Sequence, residues 1–456
     1  MALFGTNGVR GRLDVLTPSL AFDLCASFAS WSRGKEIVLA RDMRLTSPML
    51  HSAAAAGIMA AGKDVLDIGL ASSPVAEFTL AGQKAGGLAI VTASHNSPEW
   101  NALKFVDDKG VAVSRERGAI IEQSALARTY SCAGWEGVGR IRPLLAAAGA
   151  HAKAAIGALD AAKIRKGKLR VALDFGNGTS SLSRGLFDAL GCEVIALNEK
   201  TDGTFPGRPS EPSEPNVQAL LKAVKSESAD FGVAWDGDSD RVVFADEKGN
   251  WIVGDKGFAI SAVQACRERK RQKGKSVVTT VATSRCVEEA CTALGAKTVY
   301  TAVGAPYLSE KMSLLGNSAV SGGEEVGGII WPRFSLAKDG IFAAAKFCEM
   351  ACSEKLSELV SQLPSYYNSK TRIEAKGSQA KAAGLNAAKA HAKGLGARLT
   401  LVDGVRCDFE DGWAIARASG TEDYMRVFAE GKTKKRAESL MNEFKDAVEQ
   451  GVGKMQ

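Results

Sequence analysis

Residues 231–241 read Phe-Gly-Val-Ala-Trp-Asp-Gly-Asp-Ser-Asp-Arg. The first five predict a buried strand, and the last six a polar loop at its carboxyl end. The same junction occurs three more times. Ile37–Ala40 runs into Arg41-Asp42-Met43-Arg44, Gly87–Val91 into Thr92-Ala93-Ser94-His95-Asn96, and Leu169–Leu173 into Asp174-Phe175-Gly176-Asn177-Gly178. Helical stretches separate these strands, so the pattern is α/β. In open α/β sheets ligands collect at the carboxyl ends of strands. Four such loops predict a shared cleft between units.

Outward from that stretch, helices are expected at 18–32 and 50–62, with a further strand at 65–68. Residues 141–167 are alanine-rich and read as a helical connector. The loop 203–216 carries Pro206, Pro209, Pro212 and Pro215, a density that excludes helix. A third unit has helices at 255–272 and 284–294, strands at 276–280 and 297–300, and a helix after Asp339-Gly340. Beyond Leu363-Pro364-Ser365 the pattern changes to α+β, ending in a helix at 433–450. The expected units are 1–150, 151–250, 251–365 and 366–456. The pattern reads as three α/β units followed by a C-terminal α+β unit.

The chain has 456 residues, 45% hydrophobic and 24% charged, with a net charge of +7. These are ordinary globular values and exclude wholesale disorder. The length suits three or four domains at roughly 100–200 residues each. Lys432, Lys434, Lys435 and Arg436 make the densest basic run. It reads as a solvated helix face, so no nucleic-acid partner is expected. The nine cysteines stand at 25, 132, 192, 266, 286, 291, 348, 352 and 407, with no Cys-x-x-Cys pair. That usage fits reduced, core-packed thiols. The N-terminus is no signal peptide and no apolar run approaches the roughly 20 residues of a membrane span. A cytoplasmic protein without a membrane partner is expected.

Three carboxylates at 236, 238 and 240 repel one another when packed without a cation. On a turning backbone they converge as the hard oxygen donors that suit Mg²⁺. A solvated acidic turn is the bland alternative. An EF-hand also matches at Asp236, Asp238, Asp240 and Glu247, but Arg241 stands where that turn needs glycine, and 242–245 read as a strand. Ser94, in a loop at a strand end, is placed to project its hydroxyl. A helix-capping turn is its ordinary reading. Sequence neighbours such as Ser94 and His95 rarely form a triad-type hydrogen bond, and four histidines in the chain do not favour a Ser-His-Asp hydrolase. Gly322–Gly328 places Glu324 and Glu325 in a glycine-rich turn suited to sugar hydroxyls; a flexible acidic surface turn competes. Arg417-Ala418-Ser419-Gly420-Thr421-Glu422, with Arg426, suits a phosphate; a charged hairpin competes. Gly5–Gly11 is neither a Walker loop nor a dinucleotide fingerprint.

In order and spacing these blocks resemble the α-D-phosphohexomutase family along essentially the whole chain. They are GTNGVRG at 5–11, TASHNSPEWNALKF at 92–105, DGDSDR at 236–241, GGEEVGG at 322–328 and RASGTE at 417–422. The resemblance implies three similar mixed α/β sandwich domains plus a smaller C-terminal α+β domain around a central cleft, and a phosphohexomutase, interconverting hexose 6-phosphate and 1-phosphate through a phosphoserine and a hexose 1,6-bisphosphate. It implies Ser94 as the phosphoserine, and Asp236, Asp238 and Asp240 as Mg²⁺ ligands with Ser94. Arg241 would lie near the transferring phosphate, and Arg10, His95 and Lys104 beside the serine. Glu324 and Glu325 would meet the sugar. Arg417, Ser419, Gly420, Thr421 and Arg426 would hold the other phosphate. A monomer or homodimer is expected.

Many family members carry Ser-Gly-His after the acidic part of the sugar loop; here Val326-Gly327-Gly328 stands there. A hydroxyl and an imidazole are lost, so those contacts do not transfer. The Glu-Glu-x-Gly-Gly form resembles archaeal-type members assigned to glucosamine phosphate, which is the expected sugar. Glucose or mannose phosphate is the alternative within the mechanism. A phosphosugar-binding protein without catalysis and a metal-dependent phosphatase are the alternatives outside it.

Overall fold

The computed structural model describes residues 3–419 and 423–453. Four sheets follow one another along the chain. The first has six strands, in the spatial order Val9–Gly11, Asn101–Asp107, Gly87–Val91, Glu36–Arg41, Asp64–Leu70 and Ile141–Pro143. Its centre is parallel, and Asn101–Asp107 pairs antiparallel on both sides. The second sheet runs Trp251–Ile252, Val242–Ala245, Phe231–Trp235, Arg170–Asp174, Glu193–Leu197. The third has the parallel strands Ala296–Thr301, Lys275–Thr280 and Ala319–Gly323, then the short Ile329–Ile330. The fourth is wholly antiparallel: Tyr367–Glu374, Tyr424–Gly431, Gly412–Ala418, Val405–Phe409, Arg398–Thr400.

Local chemistry explains the helix starts. Thr17, Ser72, Ser114, Asp160, Ser284 and Asp339 each accept a backbone N–H in the first turn with the side chain, the ordinary satisfaction of an orphan donor. Pro18, Pro48, Pro74 and Pro306 occupy first-turn positions, where no N–H partner is lost.

Apolar clusters cover both faces of the first sheet. Leu24, Phe28, Leu39 and Phe105 belong to one, Val38, Leu66, Leu88 and Ile90 to the other. A single larger core joins the second and third sheets through Phe175, Trp235, Phe244, Phe258, Phe342 and Phe347. One face of the fourth sheet packs on the helices Gly377–Gly394 and Lys434–Gly453. Its other face meets the third sheet through a small patch, Val281, Trp413 and Ile415.

Two local expectations need correction. Residues 141–167 are not helical from the start: Ile141–Pro143 forms the edge strand beside Asp64–Leu70, and helices follow at Ala147–Gly157 and Ala161–Gly167. The proline loop holds one 3₁₀ turn at Glu214–Asn216, which Pro215 tolerates because the turn needs no N–H there. Among the described residues no helix is long and apolar enough to cross a membrane.

Candidate active site

Ser94 lies three residues beyond the strand Gly87–Val91, and its backbone is left-handed at φ 54°. The loop is not a helix cap: no helix follows it before the strand Asn101–Asp107. A buried ion pair holds it. Arg44, fully buried, binds Asp42 at 3.0 Å and donates to the carbonyls of Ser94, Asn96, Ser97 and Trp100. Thr92 accepts the Ser94 N–H and donates to Asp42. Such an over-determined loop can keep a serine at positive φ.

The Ser94 hydroxyl donates to Asp236 Oδ2 at 2.6 Å. Its contact with its neighbour His95 Nδ1 is 3.3 Å, so the adjacent pair does touch, at the long end. The serine loop and the acidic loop are stitched together by Ser210, whose hydroxyl donates to the Ser94 carbonyl and accepts the Gly237 N–H, each at 3.0 Å. Gly237 permits the approach: a Cβ there would stand 2.7 Å from the Ser94 carbonyl oxygen. Thr179 supports the Gly237 carbonyl from below.

Asp236, Asp238 and Asp240 are buried and each offers an oxygen within 4.8 Å of the others. The strand Val242–Ala245 begins directly after Arg241, so the loop is no EF-hand, and Glu247 instead binds Ser357. Asp238 Oδ2 accepts from Lys104 at 2.5 Å and from Ser73 at 2.7 Å. Lys338 lies 3.2 Å from Asp240 and 2.8 Å from Glu324. Asp238 Oδ1 and Asp240 Oδ1 are buried with no hydrogen-bond partner. Orphaned carboxylate oxygens inside a converging hard-donor set fit a small divalent cation.

The charges are strongly differentiated. Burial, then the charges of Asp238 and Asp240, holds the Asp236 carboxyl well above its usual range. Burial would raise Asp238 too, but Lys104 overcomes it and holds the group ionised. Lys338 does the same for Asp240. Burial, followed by Arg241 and Arg10, depresses His95 far below its ordinary value, so its imidazole is neutral at pH 7.

Arg241 binds Glu211 at 2.8 Å, and its backbone bridges to Gly328, while Val242 N donates to Gly327 O. This pairing joins the acidic loop to the glycine-rich turn. Glu324 leaves the strand Ala319–Gly323 and faces Lys338; Glu325 accepts from Thr280 at 3.1 Å. Arg10, on the edge strand Val9–Gly11, donates to Asn96 Oδ1 in the serine loop. Arg417 binds Asp403 at 2.6 Å, and its charge reaches Glu325. Arg426 donates to the Tyr424 hydroxyl. Ser419 accepts a hydrogen bond from Lys381 at its carbonyl. Gly420 and Thr421 lie outside the described residues.

The structure therefore brings Ser94, His95, Arg10, Lys104, the three aspartates, Arg241 and Glu324 to one cleft, with Arg417 reaching it through Glu325. Sequence reading passed over Lys338, Ser73, Glu77 and Ser210, and named Arg44 only as part of a strand-end loop. Lys338 and Arg44 each precede or follow a strand-end or helix-start signal, but their burial has no local signature. Glu77 lies near Asp240 and Lys104, and burial and the charge of Asp240 push its carboxyl up to about 8.

This arrangement can hold a divalent cation against a serine hydroxyl, with cations opposite. Comparison with known proteins agrees in order and extent. Residues 1–131, 150–249 and 253–367 match the phosphoglucomutase/phosphomannomutase alpha/beta/alpha domains I, II and III, and residues 371–447 its C-terminal domain. A phosphoglucomutase/phosphomannomutase of Thermococcus kodakarensis is 37% identical over 454 residues, covering 96% of each chain. A Methanosarcina acetivorans protein named "Probable phosphoglucosamine mutase" is 36% identical, covering 95% of this chain and 96% of its own. The crystal structure of a phosphoglucomutase/phosphomannomutase family protein from Burkholderia thailandensis superposes with TM-score 0.88 at 25% identity, covering 99% of this chain and 97% of that one. An Aspergillus fumigatus N-acetylphosphoglucosamine mutase, solved with GlcNAc-6P and magnesium, shares the fold at TM-score 0.66 and 16% identity, covering 99% of this chain and 96% of its own. The chain belongs to the phosphoglucomutase/phosphomannomutase family of phosphomutases.

Proposed function

We propose that this protein interconverts hexose 6-phosphate and hexose 1-phosphate, with glucosamine phosphate as the preferred sugar and glucose or mannose phosphate as weaker substrates. The observation that carries the mechanism is the Ser94 hydroxyl, 2.6 Å from Asp236 in a triad with two orphaned carboxylate oxygens. The sugar preference rests on the glycine-rich turn and on the names of several archaeal relatives. Four units, divided near residues 150, 250 and 365, would each contribute one loop.

Asp236, Asp238, Asp240 and Ser94 would hold Mg²⁺, which supplies positive charge beside the phosphoryl group in transfer. The chain's own groups do the rest. The Ser94 Oγ–P bond breaks as the phosphorus bonds to a sugar hydroxyl oxygen; the hydroxyl proton passes to a base, and a proton is returned to the released Ser94 Oγ. Lys104 and His95 are the candidates; His95 is neutral, though the burial and the arginines that keep it so weaken it as a base, whereas Lys104 is held protonated by Asp238 despite its burial. Arg10 and Arg241 would face the phosphoryl oxygens, an electrostatic task that dominates such transfers. Glu324 and Glu325 would bind sugar hydroxyls, and Arg417, Ser419, Gly420, Thr421 and Arg426 the distant phosphate. The hexose 1,6-bisphosphate then turns and returns its other phosphate to Ser94.

The test is phosphorus NMR with Mg²⁺ and a trace of hexose 1,6-bisphosphate, comparing glucosamine, glucose and mannose 6-phosphates. Growth of a glucosamine 1-phosphate signal fastest of the three is expected. Ser94→Ala should lower turnover at least about 10³-fold with an unchanged unfolding temperature. Wild-type turnover in Ser94→Ala would sink the mechanism.

A further inference from the structure

Three arginines from three different strands stand side by side in the fourth sheet. Register places Arg417 opposite Arg426, and Arg426 opposite Arg372. Directly paired residues share a face, and neighbouring strands lie about 4.8 Å apart. This is the face that carries Trp413 and Ile415 against Val281, and the residues between them, Ala416, Met425, Val427 and Ile373, point into the opposite core. Like charges placed directly across strands destabilise a sheet. Among the described residues, neither Arg372 nor Arg426 has a carboxylate partner. The Nε atoms of Arg417 and Arg426 are buried without an acceptor. Arg372, which is exposed, and Arg426 both lie over the Tyr424 ring, at 5.1 and 5.3 Å.

We propose that Arg372, on the strand Tyr367–Glu374, is a third phosphate ligand, completing with Arg417 and Arg426 one site for a phosphate dianion. This rests on the reading of 417–426 as the distant-phosphate cradle. Guanidinium forks match phosphate oxygens in pairs, and a dianion removes the repulsion that the register creates. Arg417 is meanwhile held by Asp403 Oδ2, the same oxygen that accepts the Val303 N–H at 3.0 Å. Asp403 thus stands where the phosphate would compete for Arg417, and it ties the cradle to the third sheet.

Calorimetry of the full chain with inorganic phosphate tests this. Arg372→Gln is expected to weaken phosphate about tenfold, and Arg372→Lys by less, since charge but not the fork is retained. In an Arg417→Gln background, Arg372→Gln should add much less than it does alone, because one anion is shared. An unchanged phosphate affinity in Arg372→Gln, with only a lower unfolding temperature, would reduce Arg372 to a stacking role and overturn the proposal. So would full additivity with Arg417→Gln. Failure of the mutase reading looks different: phosphate binding would still depend on Arg372 while no hexose phosphate is isomerised.

Discussion

Between the second and third sheets lies one continuous apolar core, with Phe244 and Phe347 stacked face to face 3.6 Å apart. Between the third and fourth lies a patch of three buried apolar residues ringed by polar contacts. Arg406, fully buried, donates to the Val281 and Thr283 carbonyls and packs over Tyr300 and Trp413. Glu430 accepts the Arg285 N–H and the Trp413 indole N–H. The first junction is held by area and shape, the second by a few directional bonds. Large apolar contacts resist relative motion, whereas small polar ones resemble transient interfaces. The acidic triad sits on the first kind of junction, where distances of reacting atoms must hold. The arginine row sits beyond the second kind.

The comparison can be broken from either side. Phe347→Ala should cost about 3–5 kcal/mol and unfold residues 170–360 as one unit in denaturant; separate transitions for the second and third sheets would contradict the shared core. Arg406→Met leaves the buried Asp408 with only the more distant Arg398, 3.8 Å away, at a cost of about 3 kcal/mol. Hydrogen exchange should then quicken across 398–431 and stay slow at 231–245. Equal quickening at both would show that the fourth sheet is not separately held.

Asp255 sharpens the same point through pH. Burial, then the charges of Glu325 and Glu430, pushes its carboxyl up to about 8, against the resisting Ser284 N–H. The folded state therefore binds a proton that the unfolded state releases near its ordinary value of 3.8. Stability falls as pH rises from about 4 to about 8, by up to about 1.4 kcal/mol per unit. Asp255→Asn should flatten that slope in thermal melts; an unchanged slope would place its origin elsewhere. The smallest effect is expected from Ser210→Ala, which removes the hydroxyl bridging the serine and acidic loops. A loss of about 1 kcal/mol in stability and about tenfold in turnover would be measured by melts and phosphorus NMR. An unchanged rate would show that Arg44 and Thr92 suffice to position Ser94.

Much of what the cleft brings together was legible in advance. Ser94, the three aspartates and Glu324 announce themselves because strand-end loops and clustered carboxylates are local patterns. Lys338 and Ser73 were not legible, although both bind the acidic loop, because their neighbours come from other units. Arg372 was invisible for the same reason: only antiparallel register sets it beside Arg426. The edge strand Ile141–Pro143 hid in an alanine-rich stretch, since three exposed residues leave no periodicity.

By itself the sequence determined the alternation of strands and helices, the four loops at strand ends and the side chains able to hold a cation and a phosphate. Those are properties of spacing and residue type over a few positions. Tertiary structure alone decided which lysine neutralises which aspartate, which carboxyl stays protonated and which arginines share a face. Burial and long-range pairing set those outcomes, because a charge's energy depends on the dielectric and the partners around it, and neither is written in its own neighbourhood of the chain.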